Sequence, residues 1–119
     1  VGLDLSETWD WSHPEEKENP TVWILGMLDG LLMLRIANSP QNILLEDAVR
    51  YGLRGWRNFK NKDGKDIQFK TKKIYAYGEE RQGVDDDRFK LIPTRYISSI
   101  GAEIIERQRL SGEERKNLA

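Results

Sequence analysis

Between Arg50 and Phe69 the chain reads Arg-Tyr-Gly-Leu-Arg-Gly-Trp-Arg-Asn-Phe-Lys-Asn-Lys-Asp-Gly-Lys-Asp-Ile-Gln-Phe, so a helix end, two aromatic anchors, a cationic run and a tight turn share one short span. Upstream of it Ile43, Leu44, Ala48 and Leu53 recur at helical spacing, with Leu45, Val49 and Trp56 widening the apolar face. This spacing predicts a central helix over about 40–58. On such a helix Arg50, Arg54 and Arg57, three to four residues apart, form a cationic stripe along one side. The stripe has two readings, a clamp for phosphate or a solubilising face. Trp56 and Phe59 read as plugs for a core, and Asn61-Lys-Asp-Gly64 reads as a turn, because Gly tolerates positive φ and Asn or Asp closes a local bond.

The remaining elements follow from the same rules. Thr21-Val-Trp-Ile-Leu25, bounded by Pro20 and Gly26, predicts a short strand. Leu28, Leu31, Leu32 and Ile36 predict a helix over 28–38, and a continuous helix from Val22 to Ala37 competes with that pair of elements. Ile67, Phe69 and Thr71 alternate with polar residues and predict a strand over 66–77, while polar Glu79 to Gly83 predicts a loop. Asp85-Asp-Asp87 predicts a helix N-cap ahead of Arg88 to Ile92. Tyr96, Ile97, Ile100, Ile104 and Ile105 give a helix over 93–108 its apolar face, with Gly101 allowing close approach. Ser111-Gly-Glu-Glu114 has capping-box spacing and predicts a separate last helix. The expected fold is α+β: two main helices packed on a small antiparallel sheet made from 21–25 and 66–77, with an extended N-terminal arm.

Charge divides the chain. Residues 1–20 carry Asp4, Glu7, Asp10, Glu15, Glu16 and Glu18 against Lys17, whereas residues 50–81 hold ten Lys or Arg against four acids. The division predicts an acidic arm at 1–20 ahead of a single domain at 21–119. The arm either folds back on its own domain or reaches a neighbour's basic middle. Trp9 and Trp11, two apart, fall on one side of an extended segment. They either complete this chain's core or anchor a partner.

Several classes of chemistry find little support. The chain has no Cys and one His, His13, in a polar Ser-His-Pro context, which disfavours thiolate or histidine metal sites and catalytic triads. Three adjacent aspartates lack the spacing of a calcium loop, so neither metal nor cofactor is expected. A net charge of −1 argues against a dedicated nucleic-acid binder. Val22 to Ile36 is too short and too polar to span a bilayer, and the first residues lack a secretory pattern, so a non-secreted protein without a membrane span is expected.

Thr-Val-Trp-Ile-Leu-Gly-Met-Leu-Asp (21–29), Ala-Val-Arg-Tyr-Gly-Leu-Arg-Gly-Trp-Arg-Asn-Phe (48–59), Asp-Gly (63–64), Leu-Ile-Pro (91–93), Ile-Gly-Ala-Glu-Ile-Ile (100–105) and Leu-Ser-Gly-Glu-Glu-Arg-Lys-Asn (110–117) together form a distinctive order. Over about 20–118 it resembles small proteins of tailed-bacteriophage morphogenesis clusters, of the tail assembly chaperone or minor head and tail component kind. The resemblance implies non-catalytic protein–protein binding during assembly in the host cytoplasm, with other morphogenesis proteins as partners and the virion as a further location. Trp9, Trp11, Arg50, Arg54, Trp56 and Arg57 are the expected partner-binding residues, with a homo-oligomer through the arm as one form. The alternatives are a phage protein that inhibits a host factor and a small nucleic-acid-binding module.

Overall fold

Trp23 and Leu25 occupy alternate positions of Val22–Gly26, and both are almost wholly buried. That alternation fixes the first sheet. In the computed structural model, which describes the backbone of residues 6–118 and the side chains of residues 6–110, β2 (Val22–Gly26) lies between β1 (Thr8–Trp11) and β3 (Leu53–Arg57), and both pairings are antiparallel. The register sets Trp11 opposite Trp23 and Trp23 opposite Trp56, with Trp9, Leu25 and Leu53 forming a second row.

Leu53 and Trp56 are three residues apart, a spacing that would send them to opposite faces of a regular strand. A bulge opposite the Ile24/Leu25 junction absorbs the extra residue. Gly55 pairs with Ile24 and Leu53 with Leu25, so the residue left over is Arg54. Its side chain lies against Gly26, where an added Cβ would fall 2.7 Å from the Arg54 Nε.

Two helices connect β2 to β3. Helix α1 (Gly30–Ala37) starts at Asp29, whose Oδ1 accepts the Leu32 N–H at 2.8 Å, and it buries Leu32 and Ile36. Because Val22–Gly26 is a strand, the alternative of one helix from Val22 to Ala37 does not hold. Helix α2 (Gln41–Gly52) buries Ala48, Val49, Tyr51 and Gly52, then passes directly into β3. The helix expected over 40–58 therefore stops at Gly52. Helical spacing at Leu53 and Trp56 is overridden by pairing with β2, which buries Leu53 and half-buries Trp56.

The second sheet is a hairpin of β4 (Thr71–Ala76) and β5 (Glu79–Val84). Tyr77 and Gly78 form its two-residue turn with φ of 54° and 86°, the positive pair of a type I′ hairpin. The stretch expected as a loop is thus a strand, polar because Glu79, Glu80 and Gln82 face out while Arg81 and Gly83 are buried. Nor do 21–25 and 66–77 share a sheet; of the latter, only Thr71–Ala76 is a named strand, and Asp66 bridges Lys60.

Asp85 caps the short α3 (Asp86–Phe89), and α4 (Thr94–Leu118) follows Pro93, whose carbonyl accepts the Tyr96 and Ile97 N–H groups. At Ser111, where a separate helix is expected, α4 continues unbroken. Four helices and two small antiparallel sheets among the described residues make a mixed α+β fold. None of the helices is long and apolar enough to cross a membrane among the described residues.

Helices α2 and α4 meet at Gly101, where a Cβ would lie 2.7 Å from the Leu45 carbonyl oxygen and 3.1 Å from its Cα. Backbone gives way poorly, so Gly101→Ala is expected to lower the unfolding free energy by about 1–3 kcal/mol despite its better helix propensity. Gly30→Ala, with no atom near its added carbon, is the control and should be neutral or slightly stabilising. Urea unfolding of both variants checks this.

Candidate interaction surface

The six residues expected to bind a partner converge on the first sheet and the end of α2. Trp23 is their hub. Its ring centroid lies 5.9 Å from that of Trp56, 5.1 Å from Phe59 and 5.8 Å from Tyr96, while Trp56 meets Phe59 at 5.0 Å and Phe69 at 4.9 Å, both edge to face. His13 extends the layer outward, edge-on to Tyr96 at 5.5 Å and to Trp11 at 6.1 Å. Edge-to-face contact sets the positive rim of one ring on the negative face of another, adding about 0.5–1.5 kcal/mol per pair to simple burial.

Trp9 and Trp11 are half-buried against this core. The Arg107 guanidinium sits 4.8 Å over the Trp9 ring. The Trp56 indole N–H donates to the Ile67 carbonyl at 2.6 Å, which pins the segment after the 61–64 turn to β3. Trp9 and Trp23 bury their indole nitrogens without an acceptor among the described residues. Burying rings of this size, about 150–250 Å² each, offsets that cost.

The three arginines do not form one stripe, because only Arg50 is on the helix. Arg50 donates to the Val84 carbonyl at 3.1 Å and to Asp86 at 2.8 Å, with its guanidinium 4.3 Å over the Phe89 ring. Arg54 turns back to the Tyr51 and Met27 carbonyls, the latter at 2.8 Å, and loss of hydration there lowers its pKa. Arg57 pairs with Asp10 of β1 at 2.6 Å. Exposed as it is, that pair contributes little stability, yet it shows the acidic segment and the basic middle meeting within one chain.

Charged groups outside the expected set do more to join elements. Arg81, buried on β5, pairs with Asp29, the residue that also caps α1. Glu79 lies 3.2 Å from Arg81 Nη2 without hydrogen-bond geometry. These groups and Tyr51, Leu53, Arg54 and Phe69 line a cleft of about 350 Å³ between the two sheets. Glu16 accepts the Thr21 N–H at 3.0 Å and the Tyr96 hydroxyl, so residues 13–21 are tied to α4. Gln108 accepts the Leu28 N–H at 2.9 Å and donates to its carbonyl at 2.6 Å. No periodicity marks these four residues in the sequence; Asp29, three positions before Leu32 and next to Gly30, carries a readable cap signal.

The aspartate run separates into different roles. Asp85 caps α3, Asp87 pairs with Lys90 at 3.1 Å, and Asp86 holds both Lys72 and Arg50. Hydrogen bonds from Lys72 and then Arg50 hold the Asp86 carboxyl below its ordinary pKa. The Tyr96 hydroxyl is raised by its bond to Glu16 and by burial. Tyr51 is raised by burial and the nearby Asp47 charge. Burial, followed by its hydrogen bond to Asp47, pushes Tyr77 from 10.0 up to about 12.

No family model, no curated protein and no solved structure matches the chain.

Two measurements probe this surface. Trp11→Ala should cost about 2–3 kcal/mol, below the range for a fully buried Trp because the ring is half-exposed, whereas Tyr75→Ala, at a side chain 75% exposed, should stay within about 0.5 kcal/mol. Denaturant titration separates them. For Tyr77 the folded chain binds the phenol proton more tightly than the unfolded chain does. Its contribution is fully present below pH 10.0 and is lost as pH rises toward about 12. Tyr77→Phe should therefore flatten part of the alkaline fall in stability, read by unfolding curves across that window.

Proposed function

We propose that the chain is a non-catalytic protein–protein binding component of tailed-phage assembly, either a virion subunit or a temporary escort for one. The order of residues described above supports the phage setting. One structural observation supports binding: large apolar side chains stand well exposed on several elements, among them Leu34 of α1 at 62%, Leu91 after α3 at 48% and Leu110 of α4 at 45%. An exposed leucine alone is ordinary. Leu31, also exposed, lies three residues before Leu34 and so about one turn from it on the same short helix, which strengthens the reading.

In this reading β1 works within its own chain, with Trp9, Trp11 and Arg57 holding the sheet edge. A homo-oligomer through the same segment would form by exchange of β1 between copies, a transfer that keeps every contact but changes the chain supplying it. Arg54 and Arg57 set orientation in such an assembly rather than strength.

Mass spectrometry of purified particles from a phage encoding the chain, beside native mass determination of the isolated protein, tests the proposal. Stoichiometric presence in particles supports a virion subunit; capture with a phage protein in lysate but absence from particles supports an escort. Association with a host protein alone would favour the host-directed alternative, and association with no phage component would overturn the proposal.

A further inference from the structure

On the side of the 61–64 turn, Phe59, Lys60, Lys62, Ile67, Arg88 and Leu91 are among the residues lining a cleft of about 640 Å³. Its walls come from two parts of the chain joined by the Arg88 Nε, which donates to the Gln68 carbonyl at 3.3 Å. The apolar part of its lining is Phe59 and Ile67, both half-buried, together with the half-exposed Leu91. Its polar part is cationic. Lys60 is paired with Asp66 at 2.9 Å and Arg88 lies 4.0 Å from Asp85, so of the lining cations Lys62 is the one whose side chain makes no ion pair among the described residues; Lys65, Lys70 and Lys73, outside the lining but in the same stretch of chain, make none either. From 60 to 73 the sequence has six lysines against two aspartates.

From this combination we infer that the cleft is a docking site for an acidic peptide segment carrying a large apolar side chain, presented by a partner protein. Lys62 orients a carboxylate at the cleft and the unpaired lysines of the same stretch add longer-range attraction, while Phe59, Ile67 and Leu91 receive the apolar residue. A polynucleotide fits less well. A phosphate backbone is held by several cations in succession, whereas the cleft itself offers one unpaired cation, Lys62, with Lys60 neutralised by Asp66 and Lys90 next to Leu91 by Asp87. Three aspartates at 85–87 also stand next to Arg88.

The inference rests on the protein-binding reading above and names the chemistry of the partner. It does not depend on the phage setting, so particle composition and the experiment here fail independently. Fluorescence anisotropy with a labelled glutamate-rich peptide bearing two central leucines measures docking on the full chain. Binding should weaken with added salt and fall about tenfold in Lys62→Glu and in Leu91→Ser. Both positions are exposed, and far-UV circular dichroism with a melting curve checks that each variant folds; should Leu91→Ser not fold, Lys62→Glu decides. Equal binding of a leucine-free glutamate peptide would overturn the inference by reducing it to diffuse charge. Tighter binding of a single-stranded oligothymidylate, no peptide binding, or peptide binding that ignores both substitutions would each overturn it as well.

Discussion

The row of Trp11, Trp23 and Trp56 across three strands is the contact on which the rest of the molecule depends. Trp23 alone touches rings from β3, from the chain beyond it and from α4. Around it the fully buried core is mostly aliphatic, with Leu25, Ile36, Val49, Leu53, Ile100 and Ile104 among its members, and the rings join that core to the sheet through large contact areas. Placing three indoles in one register also fixes which face of the sheet is inward, because a slip by one residue would turn the whole row to solvent. Bulging at Arg54 is the local cost of that register, since only there can Leu53 and Trp56 face the same way.

Electrostatic contacts act on this frame as ties rather than as its source. Asp10 to Arg57 and Glu16 to Tyr96 hold the acidic N-terminal segment on its own sheet and helix. Asp29 to Arg81 and Asp47 to Tyr77 hold the β4–β5 hairpin against α1 and α2. Each tie uses a group that would otherwise be a candidate for chemistry. The lysine-rich stretch after β3 is different, because Lys62, Lys65, Lys70 and Lys73 are exposed and make no ion pair among the described residues, and Lys62 does so at the cleft lined by Phe59 and Leu91.

Much of the local structure was legible in the sequence where one physical signal acted alone. The strand read at 21–25 and found at Val22–Gly26, the turn at 61–64, the Asp85 cap and the close approach at Gly101 each follow from a short pattern with a direct steric or hydrogen-bonding cause. Leu53 to Arg57 reads as helix because helical spacing of apolar and arginine residues coincides there with a bulged strand, and only the partner strand decides between them. Glu79 to Gly83 was hidden by its polarity, although Tyr77-Gly78 ahead of it is a hairpin turn signal once a positive φ at Tyr77 is allowed. The surface was less legible than the fold. Trp9, Trp11 and Trp56 have the composition of partner anchors, yet identical rings fill a small core, and the buried Arg81–Asp29 pair joins residues far apart in sequence with no local pattern to announce it.

Native-state hydrogen exchange of the β1 amides tests most directly whether the aromatic row makes the N-terminal segment part of the domain. Amides of β1 that donate to β2 should be protected and should open together with β2 and β3, as one cooperative unit. Exchange of those amides at the rate of an unstructured peptide, with β2 and β3 still protected, would contradict the account and restore the segment as an arm independent of the sheet.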